Sequence, residues 1–216
     1  MKESIKEFIY RLIYVFILMV VLLAVKIFFK LEVEGKSNIP EETDNVLITS
    51  SHTSYWDPPL IGLIFGPIRQ VHFIARKGLL SNPVFRFPVK WYSTTIDRDN
   101  FGKEDLKKML TAFRKKGLLC IFPEGTTSEE SPPKSGTVRL AEKTNRMFLP
   151  VKIEVGRSPL EYPFFSTPAR LVIGKPLEFR ELKNIAREAN RVKPNNDKEP
   201  DYQDLTITLM ERINQL

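Results

Sequence analysis

The sequence predicts a single-domain α/β fold, a mixed and mostly parallel sheet flanked by helices, with a hydrophobic membrane-anchoring helix ahead of it. Three observations carry this expectation. Fourteen apolar residues run without a break from Leu12 to Val25. Beyond them, short β-rich runs alternate with helical patterns and Gly/Pro turns, the punctuation of an α/β domain. The length, 216 residues, suits one domain with a substantial core.

As a helix, the apolar run spans about 21 Å, short of the roughly 30 Å of hydrocarbon in a bilayer. Extending it to Phe29 gives about 27 Å and takes in Lys26, close enough to the end to snorkel. Lys2, Lys6 and Arg11 precede the run and Lys26 and Lys30 follow it, so charge gives no inside–outside asymmetry. No small-residue cleavage site follows, which argues against a secretory signal peptide. Three readings stay open: a helix lying in one leaflet, a single span, or a buried core helix. The first two place the protein at a membrane.

Leu31 to Glu34 reads as a short strand closed by the turn Gly35-Lys36-Ser37-Asn38-Ile39-Pro40. Asn45 to Thr49 is the next strand. Asp57-Pro58-Pro59 opens a helix, with Asp57 suited to the N-cap and Pro58 to the first helical position. Val71 to Ala75 and Trp91 to Ile96 are strands. Gly102 to Lys116 is a surface helix whose apolar stripe is Leu106, Met109, Leu110 and Phe113, stopped by Gly117. Leu118 to Phe122 is a buried strand, Thr137 to Lys143 a helix and Phe148 to Val155 a strand. Arg157 to Pro168 carries three prolines and reads as a loop before a last strand at Ala169 to Ile173. A polar linker from Lys193 to Pro200 leads to an amphipathic helix with Tyr202, Leu205, Leu209 and Ile213. The chain thus divides into an anchoring segment at 1–30, a domain at 31–192, and a linker with a C-terminal helix at 193–216.

The formal charge of +7 and a pI near 9.4 favour an anionic partner. Phospholipid head groups, the phosphates of coenzyme A and an acidic carrier protein all qualify. Nucleic acid is disfavoured, because the basic residues are dispersed and no zinc-finger spacing or RNA-recognition motif is present. The single Cys120 excludes an intrachain disulfide and permits a reducing compartment. Within Gly117-Leu118-Leu119-Cys120-Ile121-Phe122 it reads as a small buried hydrophobe.

Chemistry concentrates in Ser51-His52-Thr53-Ser54-Tyr55-Trp56-Asp57, an H-x-x-x-x-D pattern. On one continuous helix that spacing is a rotation of roughly 500°, so the side chains would diverge by about 140°. The pair makes sense across a loop, with His52 after the strand and Asp57 at the helix start. There the carboxylate can accept from Nδ1–H and leave Nε2 as a base. The residues alone equally fit an ordinary N-cap and a polar loop histidine. Ile96-Asp97-Arg98 offers a guanidinium fork suited to phosphate, or a surface ion pair. Phe122-Pro123-Glu124-Gly125-Thr126 places an acid and a permissive glycine after an apolar strand, or marks a plain turn. The other histidine, His72, reads as a strand residue. Arg114-Lys115-Lys116 is a solvated helix end that could also dock an acidic carrier protein.

In their order and spacing these strings resemble the glycerolipid acyltransferases with the H-x-x-x-x-D motif, the family of 1-acylglycerol-3-phosphate (lysophosphatidic acid) acyltransferases. The resemblance runs from about residue 31 to 175. It implies His52 as general base, Asp57 as its partner, and Arg98 with Glu124, Gly125 and Thr126 as the acceptor-binding set. Arg76-Lys77 matches a basic pair of the family, adding Lys77 to that set. Lys134-Ser135-Gly136 and Leu149-Pro150-Val151 match later family blocks, although Pro150 alone also fits an edge strand or a bulge.

Three positions depart from the pattern: Tyr92 where a glycine is common, Gly78 for an acidic residue and Thr127 for an arginine. The last leaves other lysophospholipids or lipid alcohols open as acceptors. The implied reaction moves a fatty acyl group from acyl-CoA or acyl carrier protein to the free hydroxyl of a lysophospholipid, giving phosphatidic acid from 1-acylglycerol-3-phosphate. Its active site lies on the cytoplasmic face of a membrane. It uses no metal and no prosthetic group, and its partners are membrane lipids and the acyl donor. A thioesterase and a catalytically silent membrane-binding protein are the rival readings.

Overall fold

Alternation along the strands turns neighbouring side chains to opposite faces of one sheet. Leu47, Ile74, Leu119 and Phe148 pack into one buried cluster, while Val46, Ile48, Leu118, Cys120 and Leu149 pack into another. In this computed structural model, residues 2–52, 54–66, 69–124, 133–156, 167–191 and 199–216 are described. The strands are β1 (Phe29–Glu34), β2 (Val46–Ser50), β3 (Val71–Arg76), β4 (Ser93–Ile96), β5 (Leu118–Ile121), β6 (Met147–Val155) and β7 (Thr167–Ile173). The helices are α1 (Lys2–Phe28), α2 (Asp57–Phe65), α3 (Pro83–Tyr92), α4 (Lys103–Arg114), α5 (Gly136–Lys143), α6 (Phe179–Arg191) and α7 (Tyr202–Asn214).

Among the described residues the strands form a seven-stranded sheet in the order β1-β7-β6-β2-β5-β3-β4. From β6 to β4 every pairing is parallel, and only β6 with β7 is antiparallel. The sheet is mixed and mostly parallel, as expected. The carboxyl ends of β6, β2, β5, β3 and β4 therefore share one edge, where open α/β sheets bind their ligands. One face is covered by α4, α5, α6 and α7, whose Met109, Val138, Leu182 and Leu209 enter the first cluster. The other face receives Leu60, Ile61 and Phe65 of α2 and Val25 of α1. Gly35 turns β1 away from the sheet at φ +70°, and a Cβ there would meet Ile173 O at 2.1 Å, so the turn requires glycine.

The apolar helix α1 lies against the domain. Tyr14, Leu18 and Val25 are buried; Tyr14 Oη accepts from Val71 N at 3.3 Å, and Tyr92 Oη donates to Tyr10 O at 2.8 Å. Phe8, Leu12, Phe16, Met19 and Leu23 face outward. The stretch Ile5–Phe28 is long and apolar enough to cross a membrane.

Several local expectations need correction. Trp91 and Tyr92 end α3 instead of opening β4, and α3 itself, with Pro83 in its first turn and Pro88 inside, was not anticipated, nor was α6. Leu106 is 49% exposed, because α4 turns Met109, Ala112 and Phe113 inward instead. Asp57 occupies the first turn of α2, with Trp56 at the N-cap. Pro150 sits in an internal strand, paired with Thr49 of β2, and so marks no sheet edge. Its position falls between the Phe148–Leu177 bridge and the Val151–Ile173 pair that begins the β7 ladder. Thr167 and Pro168 belong to β7, while 157–166 of the expected loop and 192–198 of the expected linker lie outside the described residues.

Two basic groups, one buried and one half-buried, shape the α4 face. Arg146, 3% exposed, donates from Nε to Phe113 O at 2.7 Å and from Nη1 to Val46 O at 2.8 Å and Gly117 O at 2.9 Å. Its Nη2 donates to Lys115 O. Burial lowers its pKa to about 10, so the guanidinium keeps its charge at neutral pH.

His72 Nε2 lies 2.8 Å from Thr94 Oγ1, and burial, then the nearby Lys115 and Arg146, lower its pKa to about 4 from 6.5. The unfolded chain takes up this proton below about pH 6.5 and the folded chain only near pH 4. The resulting stability is thus complete above pH 6.5 and is lost as pH falls toward 4, by up to about 3 kcal/mol. In urea unfolding at pH 7 and pH 5, the wild type is expected to lose more stability than His72→Gln. Equal losses would place the acid sensitivity elsewhere.

Candidate active site

Ser54, Trp56 and His52, between β2 and α2, gather around one carboxylate. Asp57 N donates to Ser54 O at 3.1 Å, Trp56 N to Ser54 Oγ at 3.2 Å, and Ser54 N to Asp57 Oδ2 at 2.8 Å. That same Oδ2 lies 2.9 Å from His52 Nδ1. The Asp57 side chain is fully buried, whereas His52 is 17% exposed. A carboxylate only accepts, so the contact places a proton on Nδ1 and leaves the Nε2 lone pair available in the neutral ring. Asp57 spends its oxygen on His52 and Ser54, which is why it orients a side chain instead of capping α2.

Strand β5, paired with β2 through Thr49 and Ile121, supplies the second wall. The Phe122 ring stacks on the imidazole with centroids 4.2 Å apart and planes at 22°. Glu124 Oε2 accepts from His52 N at 3.2 Å. The histidine is thereby held from both sides: by the acid on its Nδ1, and by the residues after β5 against its ring face and backbone. The candidate residues Gly125 and Thr126, together with Thr127, lie outside the described residues.

Further along the same edge, the ends of β3 and β4 enclose a hollow of about 350 Å³ lined by Arg76, Lys77, Gly78, Asp97 and Asp99. Arg76 Nη2 is paired with Asp99 Oδ2 at 2.5 Å, both side chains being exposed. Asp97 Oδ1 accepts from Asp99 N at 3.1 Å and Asn100 N at 3.0 Å, closing the turn after β4. Arg98 lies in this turn, half-buried. Burial lowers its pKa, and the charge of Arg76 adds to the effect. A cation so placed gains from an incoming anion.

The structure thus brings His52, Asp57 and Glu124 into contact. On the same edge Lys77, after β3, sits two strands from β2, and Arg98, after β4, sits three. Two features were not visible in the sequence: the stacking by Phe122, which depends on β2 pairing with β5, and the Arg76–Asp99 pair, which depends on β3 pairing with β4. Among the described residues no group of three His, Cys, Asp or Glu side chains gathers in a way that could hold a metal ion.

Residues 30–154 match the model of the family described as Acyltransferase. The chain is 30% identical to the 1-acyl-sn-glycerol-3-phosphate acyltransferase of Bacillus subtilis over 71% of its own length and 79% of that protein. It is 24% identical to the 1-acyl-sn-glycerol-3-phosphate acyltransferase of Streptococcus pneumoniae, over 71% of its own length and 60% of that protein. The crystal structure of the 1-acyl-sn-glycerophosphate acyltransferase PlsC from Thermotoga maritima superposes with a TM-score of 0.70 at 20% identity, covering 97% of this chain and 80% of that one, and so shares the fold. A family match across more than half of the chain, with curated relatives of one kind beside it, makes this protein a member of the acyltransferase family and an O-acyltransferase.

Proposed function

We propose that the protein transfers a fatty acyl group from a thioester donor to the free hydroxyl of 1-acylglycerol-3-phosphate, giving phosphatidic acid. The His52–Asp57 contact carries this reading: a wholly buried carboxylate fixes the tautomer of a partly exposed imidazole, on the same sheet edge as a hollow that holds Arg76 and Lys77. The activity named for the relatives agrees with it.

In the step itself, His52 Nε2 takes the proton of the acceptor hydroxyl as its oxygen attacks the thioester carbonyl. The tetrahedral intermediate collapses by breaking the C–S bond, and the imidazolium returns the proton to the leaving thiolate. Asp57 stabilises the imidazolium. No acyl-enzyme is needed, because the donor is already activated, and no cofactor enters the step. Glu124, through His52 N, sets the backbone of the loop.

Purified protein incubated with labelled acyl-CoA or acyl carrier protein and a panel of lysolipids tests the reading. The expected result is diacylated product with 1-acylglycerol-3-phosphate. Free fatty acid released at the same rate without acceptor would mark a thioesterase instead. Arg98, Lys77 and Arg76 are proposed to hold the acceptor phosphate, with Arg98 foremost because Arg76 is already paired with Asp99. Arg98→Ala is expected to raise KM for 1-acylglycerol-3-phosphate by about 10–100-fold. KM for monoacylglycerol, which lacks the phosphate, should stay unchanged. A parallel rise for both acceptors would remove Arg98 from phosphate binding.

Helix α1 is proposed as the membrane attachment, lying in one leaflet on the cytoplasmic side. Its buried Tyr14, Leu18 and Val25 commit one face to the domain, which supports an in-plane helix over a free span.

A further inference from the structure

Helix α3 carries an apolar stripe that the catalytic reading does not use. Val84, Phe87 and Trp91 recur at i, i+3 and i+7 and so share one side of the helix. Val84 is 72% and Phe87 60% exposed, high for large apolar groups on a short helix that already buries Val89 and Tyr92 on its inner side. Lys90 borders the stripe, and Arg86, one turn before it, is exposed on the adjoining flank.

The stripe is continuous with the outward face of α1. Phe87 meets Trp91 edge-on with centroids 6.0 Å apart, and Trp91 meets Tyr10 of α1 at 5.9 Å. On the flank of α3 that turns toward Val89 and Tyr92, Phe85 stacks on Tyr55 at 5.5 Å, and Tyr55 is the exposed ring within the His52–Asp57 loop. One side of the molecule therefore presents, in sequence, an apolar helix, an aromatic seam and an apolar stripe with Lys90 at its margin, and the helix that carries the stripe also touches the loop that holds His52.

We infer that α3 is a second, interfacial membrane contact, which inserts Val84 and Phe87 among the acyl chains of an anionic bilayer and sets the His52 loop at the level of the head groups. Aromatic rings favour the boundary between water and hydrocarbon. Arg86 and Lys90 are long enough to reach anionic head groups from a helix lying flat in the interface. Continuity with α1 and the bordering positive charge select a lipid surface over a protein partner. The inference rests on the membrane attachment through α1 and adds to it the orientation of the catalytic domain.

The single native cysteine, Cys120, is fully buried in β5, and burial raises its pKa, so it stays inert to labelling. Full-length Val84→Cys and Phe87→Cys proteins can then each carry a polarity-sensitive fluorophore at one site. Lys107→Cys, exposed on α4 across the sheet, serves as the control. Vesicles are phosphatidylcholine with phosphatidylglycerol, with or without brominated acyl chains, and binding is followed separately by sedimentation. The dyes on α3 are expected to brighten about threefold or more on vesicles and to be quenched by the brominated lipid, while the α4 dye does neither.

Protein that sediments with vesicles while both α3 dyes behave like the α4 dye overturns the inference and leaves attachment through α1 standing. Protein that fails to sediment overturns both. Brightening that follows protein concentration without vesicles assigns the stripe to a second copy of the chain and likewise overturns the inference.

Discussion

His52→Ala is expected to lower kcat for acyl transfer by about 10²–10⁴-fold while leaving KM for both substrates within a few-fold. The imidazole touches Asp57 and Phe122, and neither contact belongs to the set proposed to grip the acceptor phosphate. Loss of the side chain therefore removes the proton acceptor and spares the binding groups. Far-ultraviolet circular dichroism should be unchanged, since the ring is partly exposed and the loop keeps its Ser54 contacts to Asp57. Asp57→Asn should follow in the same direction, because an amide can present its NH2 to Nδ1 and favour the tautomer that puts the proton on Nε2. A His52→Ala protein that keeps its rate within twofold would dismiss proton abstraction by this residue. Initial rates with labelled donor read the outcome directly.

The largest expected loss of stability belongs to Arg146→Met, at about 2–4 kcal/mol. One guanidinium serves the carbonyls of Phe113 near the end of α4, Lys115 and Gly117 in the turn, and Val46 at the start of β2. Methionine fills a similar volume and donates nothing. Two of these hydrogen bonds are fully buried, and an unmet buried carbonyl costs about 1–3 kcal/mol. Removing the desolvation cost of the cation offsets a part. For a chain of this length the midpoint should fall by about 5–15 °C. The site is built on the far edge of the sheet from these carbonyls, so kcat at low temperature should survive. An unchanged midpoint would mean that water replaces the guanidinium at all four positions.

Hydrophobic rhythm and Gly/Pro punctuation made most of the fold legible: all seven strands of the sheet have sequence counterparts, because most are apolar runs bounded by breakers and the polar β4 is rich in β-formers. Helix α3 was hidden by its own composition. Val84, Phe85, Phe87, Trp91 and Tyr92 are β-formers, and two prolines interrupt the pattern. It is helical because Pro83 suits a first turn, Asn82 Oδ1 accepts from Val84 N, and Tyr92 is anchored on Tyr10 O, a contact with a residue far away in the chain.

The His52–Asp57 meeting was readable because the partners lie at the two ends of one short connection, whose span the spacing restricts. Phe122 and Glu124 stood in a quoted string, but their contact with His52 follows only from the β2–β5 register. The exposure of Leu106 shows the limit of helical periodicity. A stripe of apolar positions fixes the direction of burial and leaves its edge undetermined.

The sheet order also bears on how the chain is made. β1 follows α1 without a break, yet its partner is β7, so Phe29 must wait for Thr167 and Glu34 for Val172. During synthesis the N-terminal helix can reach lipid long before the strand that completes that border exists. With α1 as the proposed attachment, assembly would proceed on a chain already tethered, with long-range parallel pairings that form slowly. The unpaired border of β1 is meanwhile exposed to wrong neighbours. Early mooring would confine those encounters to two dimensions, giving the proposed anchor a part in biogenesis as well as in attachment.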